Sequence, residues 1–148
     1  LFYELGDLNE SVKHYEISSN VSTYNQVGNI NDILMDICKS YLKLKDTEKC
    51  ANILKNVENN IDKEDIDRII NCKLIKHTMF SIDQDYEYAE AVLIDTYELA
   101  KNTGRLAKAG ELAMRIGKYF MGKKEIEKAS YFLSQGVKLF DEAEELGN

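Results

Sequence analysis

Lys124-Glu125-Ile126-Glu127-Lys128-Ala129, continued by Leu133 and Gly136, is the fourth copy of one pattern in this 148-residue chain. The earlier copies open with Gly6-Asp7-Leu8-Asn9-Glu10-Ser11, Lys45-Asp46-Thr47-Glu48-Lys49-Cys50 and Gln84-Asp85-Tyr86-Glu87-Tyr88-Ala89. Each begins with a turn and an acidic residue and reaches a small residue at position 11, 50, 89 or 129. Four places on stands a large residue, Tyr15, Leu54, Leu93 or Leu133. Three further come Ser18, Val57, Thr96 and Gly136. Recurrence at a fixed interval of this length is the mark of stacked structural units that bury their apolar faces against one another.

Within each copy the apolar residues fall at helical spacing. Ile126, Ala129, Leu133, Gly136, Val137, Phe140 and Ala143 lie on one stripe of a helix, as do Tyr86, Ala89, Leu93, Thr96, Tyr97 and Ala100. Cys50, Ile53, Leu54, Val57 and Ile61 follow the same rule. Start signals stand in front of them. Asp7 with Glu10 reads as a capping box, and Asp46, Asp62 and Asp85 are placed to accept hydrogen bonds from unpaired first-turn amides. Gly28 and Gly104 read as left-handed helix stops. Further helices are expected over about 8–26, 31–44, 63–81 and 105–121. The expectation is an all-α chain of about seven full helices plus an N-terminal stub, in one domain over 1–148. Short turns make neighbouring helices antiparallel.

Composition agrees and removes several functions. The chain contains no proline, so nothing interrupts long helices. Its net charge of −7 repels phosphate backbones, which argues against nucleic-acid binding by this segment. No apolar run is long enough to cross a bilayer. The three cysteines, Cys38, Cys50 and Cys72, are odd in number and show no CxxC spacing, which points to free thiols in a reducing, cytoplasmic compartment. Leu1-Phe2-Tyr3-Glu4-Leu5 reads as the tail of a helix, and the chain is therefore expected to be part of a longer protein.

The helix pairs resemble tetratricopeptide repeats. Ile116-Gly117 with Phe120, then Ala129, Leu133 and Gly136, matches that pattern, as do Ile37-Cys38 with Tyr41, then Cys50, Leu54 and Val57. The first unit keeps Phe2 to Asp7, Ser11, Tyr15 and Ser18. The third departs in its first helix, where Lys76-His77 occupies the leucine-glycine position. The repeats, about 1–28, 29–61, 62–103 and 104–146, are longer than that family's usual unit and lack its proline. In this they are similar to the sensory domains of peptide-sensing transcriptional regulators of low-GC Gram-positive bacteria. The resemblance implies a right-handed superhelical solenoid of antiparallel helix pairs, a non-enzymatic role, and a short peptide or protein segment as partner. The alternative it leaves open is a general protein–protein scaffold or a self-association module, homodimer included.

Chemical motifs are weak beside this. Gly117-Lys118-Tyr119-Phe120-Met121-Gly122-Lys123-Lys124 approaches a phosphate loop, but Lys124 stands where Ser or Thr would hold magnesium. A helix turning at Gly122 is expected instead. Asp83-Gln84-Asp85-Tyr86-Glu87 lacks the glycine and distant glutamate of a calcium loop. His14 and His77 have no metal-ligand spacing. No nucleophile or carboxylate pair stands out, so no enzyme activity, metal or cofactor is expected. The implied binding wall takes its residues from the first helix of each pair. They are Asp32, Met35, Asp36, Lys39, Leu42 and Lys43, then Asn71, Leu74, Ile75, Thr78 and Ser81, then Glu111, Met114, Arg115, Lys118 and Met121. Lys39, Lys43, Arg115 and Lys118 suit a carboxylate, and Asn71 and Thr78 suit a peptide backbone.

Overall fold

The computed structural model describes residues 27–147, with side chains from Ile30 onward. Six helices and no strand occur among the described residues: α1 (Val27–Lys43), α2 (Thr47–Asn60), α3 (Ile66–Ile82), α4 (Tyr86–Asn102), α5 (Leu106–Gly122) and α6 (Ile126–Glu145). The expected helix over 8–26, the stub before it, the Asp7 cap and Ser11 lie outside the described residues. Helix starts at 27, 47, 66, 86, 106 and 126 make one helix and its turn about 20 residues long. Two such elements account for the sequence repeat.

Four of the five connections are the same object. Lys45, Gln84, Gly104 and Lys124 all have positive φ, at 59°, 61°, 78° and 63°. In each turn two amides fold back on the preceding helix. Lys45 N donates to Leu42 O (3.0 Å) and Asp46 N to Tyr41 O (2.9 Å), and the same pair of bonds forms at Gln84/Asp85, Gly104/Arg105 and Lys124/Glu125. This is a Schellman stop, and the next residue already caps the following helix. Asp46 does so with its side chain, accepting from Lys49 N at 3.2 Å. The α2–α3 connection differs. Asp62 accepts from Glu64 N at 3.0 Å within a local turn, and Asp65 stands at the cap of α3, nearest Arg68 N at 3.4 Å. The expected Asp62 cap therefore moves three residues on. Gly28 is also corrected: it lies in the first turn of α1, where amides lack intrahelical acceptors and glycine is tolerated. Gly122 ends α5, but the left-handed residue is Lys124.

The chain forms two compact units that part within α4, between Ala89 and Glu90. In the first, α1, α2 and α3 pack on one another around Ile37, Cys38, Tyr41, Cys50, Leu54, Val57, Cys72, Ile75 and Met79. In the second, α5 and α6 pair closely over Leu112, Ile116, Phe120, Ala129 and Leu139. The start of α6 also meets α4, through Tyr97 and Phe132 edge to face at 5.7 Å.

Small residues set how closely the paired helices approach. Cys38 Sγ lies 3.7 Å from the Cys50 carbonyl oxygen, and His77 Nδ1 lies 2.9 Å from that of Ala89. A Cβ added to Gly117 would lie 3.3 Å from the Ala129 carbonyl and 2.7 Å from Leu133. Three helix pairs thus repeat one contact at equivalent positions, and Cys50, Ala89 and Ala129 are all buried. Seven residues along, Gly110 and Gly136 repeat the close approach, each leaving 3.3 Å between an added Cβ and the other's carbonyl. Bulk at these crossings would cost about 1–3 kcal/mol each. His77 replaces smallness with a hydrogen bond. A carbonyl only accepts, so Nδ1 carries the proton.

Two stripes are corrected. On α6, Ala129, Gly136, Leu139 and Ala143 are buried, whereas Ile126, Val137 and Phe140 are 62%, 56% and 42% exposed. They flank the buried stripe instead of belonging to it. On α4, Tyr86 is exposed while Ala89, Leu93, Thr96, Tyr97 and Ala100 are buried as expected.

Candidate functional site

Helices α1 and α3 run parallel, because contacts between them advance together along both. Arg68 grips Asp32 through Nε (2.9 Å) and Nη2 (2.8 Å), and a turn further on Cys72 Sγ meets Met35 Sδ at 3.7 Å. Leu42 and Met79 share the core at the far end. Arg68 also reaches back to Asp65 at 2.7 Å, so one guanidinium ties the cap of α3 to α1. Its hydrogen bonds hold the Asp32 carboxyl below the usual carboxylate range, and Lys39 adds to the same effect. Thr47 donates to Asp83 at 2.7 Å, and Lys76 pairs with Glu58 at 2.8 Å, which fixes α3 on α2 as well.

This packing sorts the expected wall residues. Lys39 and Lys43 on α1 and Asn71 and Thr78 on α3 are all exposed on adjacent helices of the first unit. Thr78 Oγ1 donates to Leu74 O of its own helix at 3.1 Å, which leaves the hydroxyl oxygen as an acceptor. Met35, Leu42 and Ile75 do not line a wall: they are 4%, 7% and 4% exposed and form the seam between α1 and α3. The phase assigned from the resemblance put that seam on the open face. In the second unit Arg115 and Lys118 are exposed on α5, beside half-buried Met114 and half-exposed Met121.

Sequence reasoning missed a cleft of about 240 Å³ between α2 and α3, floored by Ile61, Ile69 and Cys72 with the Lys76–Glu58 pair at its mouth. Only Lys73 and Lys76, spaced for one helix face, hinted at it. Its thiol is inert at neutral pH: burial, with Glu58 nearby, pushes Cys72 up to about 11. The hydrogen bond with Cys50 and burial push the Cys38 thiol far above its ordinary value. Gly117 to Gly122 lie within α5, where amides bond to carbonyls and not to phosphates. Among the described residues, no three His, Cys, Asp or Glu side chains gather to hold a metal, and no helix is long and apolar enough to cross a membrane.

No protein family, curated protein or solved structure matches this chain.

Proposed function

We propose that this chain is a non-enzymatic peptide- or protein-binding module in which α1 and α3 of the first unit carry the binding wall, with Arg115 and Lys118 of α5 as further candidate contacts in the second. In this reading its helix pairs continue as one right-handed, tetratricopeptide-like solenoid, supported by the contact repeated at Cys38/Cys50, His77/Ala89 and Gly117/Ala129. The observation that carries the binding role is the row of Lys39, Lys43, Asn71 and Thr78. These side chains stand exposed together on two parallel helices whose apolar residues are spent on the seam beneath. An amide and a hydroxyl can pair with a peptide backbone, while two ammonium groups attract a carboxylate. The resemblance places such a module in the cytoplasm, as the sensory part of a bacterial transcriptional regulator that responds when a peptide fixes its curvature. The buried, free thiols suit that compartment.

The test is a random heptapeptide library with free C-termini, panned on the whole chain, with binding of the selected peptides measured by calorimetry. Asn71→Ala and Lys39→Ala should each weaken binding about tenfold, and affinity should fall with added salt. Selected peptides indifferent to both substitutions would remove this wall from consideration. The scaffold reading draws on a different observation, the exposed stripe of α6.

A further inference from the structure

The α2–α3 connection takes residues 61–65, whereas the other four take 44–46, 83–85, 103–105 and 123–125. Its extra length replaces the Schellman stop with the local turn at Asp62. None of the three close contacts at Cys50, Ala89 and Ala129 falls between α2 and α3. α2 accordingly meets α3 over a shorter seam than it meets α1. The space left where α2 ends and α3 begins is the cleft of about 240 Å³, and all its lining residues belong to the first unit.

The lining divides by chemistry. Ile61, Ile69 and Cys72 form the floor, and Cys72 turns its thiol onto Met35 Sδ at 3.7 Å. A polar group pushed onto this floor would go unpaired, and no aromatic side chain lines the cleft to stack on a ring. Lys63, Lys73, Lys76 and Glu58 form the rim. Glu58 takes one N–H of the Lys76 ammonium at 2.8 Å, and Lys63 brings a further cation from the loop. Asp62, next to Lys63, is engaged by the Glu64 amide at 3.0 Å. In a molecule of net charge −7, an apolar hollow under a cationic rim selects an anion with an apolar tail.

Size narrows the choice. At about 30 Å³ for a group the size of a water or a methylene, the cleft holds roughly eight of them, and it falls short of the ~300 Å³ at which drug-sized pockets begin. We infer that this cleft binds a small aliphatic monocarboxylate. Lys63 and Lys76 hold the carboxylate at the rim, and an unbranched tail of about eight carbons lies over Ile61, Ile69 and Cys72. The site is distinct from the peptide wall. Ile69, Cys72 and Lys76 share one face of α3, while Asn71 and Thr78 lie on the opposite one.

The probes are butyrate, hexanoate, octanoate and decanoate, titrated into the whole isotope-labelled chain and followed by amide NMR shifts. Octanoate should move the signals of Ile61, Lys63, Ile69 and Cys72 and leave Lys39 and Lys43 in place. Affinity should rise about two- to fourfold for each added methylene and level off near eight carbons, where the cleft is full. Octanol, which has the tail without the charge, should bind at least tenfold more weakly than octanoate. Lys63→Glu, at an exposed loop position, should weaken octanoate about tenfold without moving the melting temperature. Ile69→Phe takes up room on the floor and should bring the plateau down to shorter tails. Three results would each overturn the proposal: affinity indifferent to tail length, octanol equal to octanoate, or shifts that ignore Lys63→Glu. Tighter binding of acetyl-leucyl-leucine than of octanoate would assign the cleft to a peptide C-terminus and overturn it as well. None of these outcomes bears on the wall at Asn71, which the heptapeptide library tests separately.

Discussion

Three of the four left-handed turn residues carry side chains. Lys45, Gln84 and Lys124 adopt φ near 60°, a conformation that costs a non-glycine residue about 1–2 kcal/mol. Each is exposed, so replacing it with glycine removes strain without removing packing. Lys45→Gly, Gln84→Gly and Lys124→Gly should each raise stability by about 0.5–1 kcal/mol in urea denaturation, while Gly104→Ala should lower it by about 1 kcal/mol. The residue scale is also where sequence reading was least complete. Gly104 was legible as a stop because glycine advertises the left-handed region. Lys45 and Lys124 carry no such mark, since the turn is imposed by Schellman bonds to the helix before it. Asp46 was legible as a cap, and Asp62 was misplaced because Asp65, three residues on, competes for the same role.

At the scale of elements, period was enough to find α2, α4 and α6 and to anticipate most of their buried faces, while α1 and α5 were placed between the turn marks. It did not say how wide each face is. Val137 and Phe140 obey the spacing of α6 as well as Gly136 does, yet burial also needs a neighbour, and no periodicity supplies one. The same gap misplaced Met35, Leu42 and Ile75. They belong to the helical face that was chosen, but α1 and α3 meet there. The seam has its own acid sensitivity. Asp32 has a folded-state pKa lowered by Arg68, so its contribution is present above the ordinary carboxylate pKa and disappears as pH falls through the lowered one. Because the pair is part-exposed, it is worth about 0.2–1 kcal/mol. Melting temperature should therefore fall from about pH 4 downward, and Arg68→Met should lower it at neutral pH while flattening that acid limb.

For the whole molecule, the all-helical class and the length of the repeat were written in the spacing of Cys50, Ala89 and Ala129, and the structure buries all three against equivalent partners. The candidate wall was legible only in part. Lys39, Lys43, Asn71 and Thr78 emerge on adjacent helices, whereas the residues meant to give that wall its grease are consumed in the core. The cleft beside Cys72 was invisible, because it arises from which helices meet. One asymmetry makes the two units separately observable. Every cysteine of the chain lies before Ala89, and all three are buried there. An alkylating reagent therefore has nothing to modify until the first unit opens, and the second can unfold without leaving a trace on it. Timed quenching in mild denaturant, read as mass added per molecule, should give a clock for the first unit alone. If tyrosine fluorescence collapses before any mass appears, the second unit has opened first, and a single melting temperature would be averaging two events.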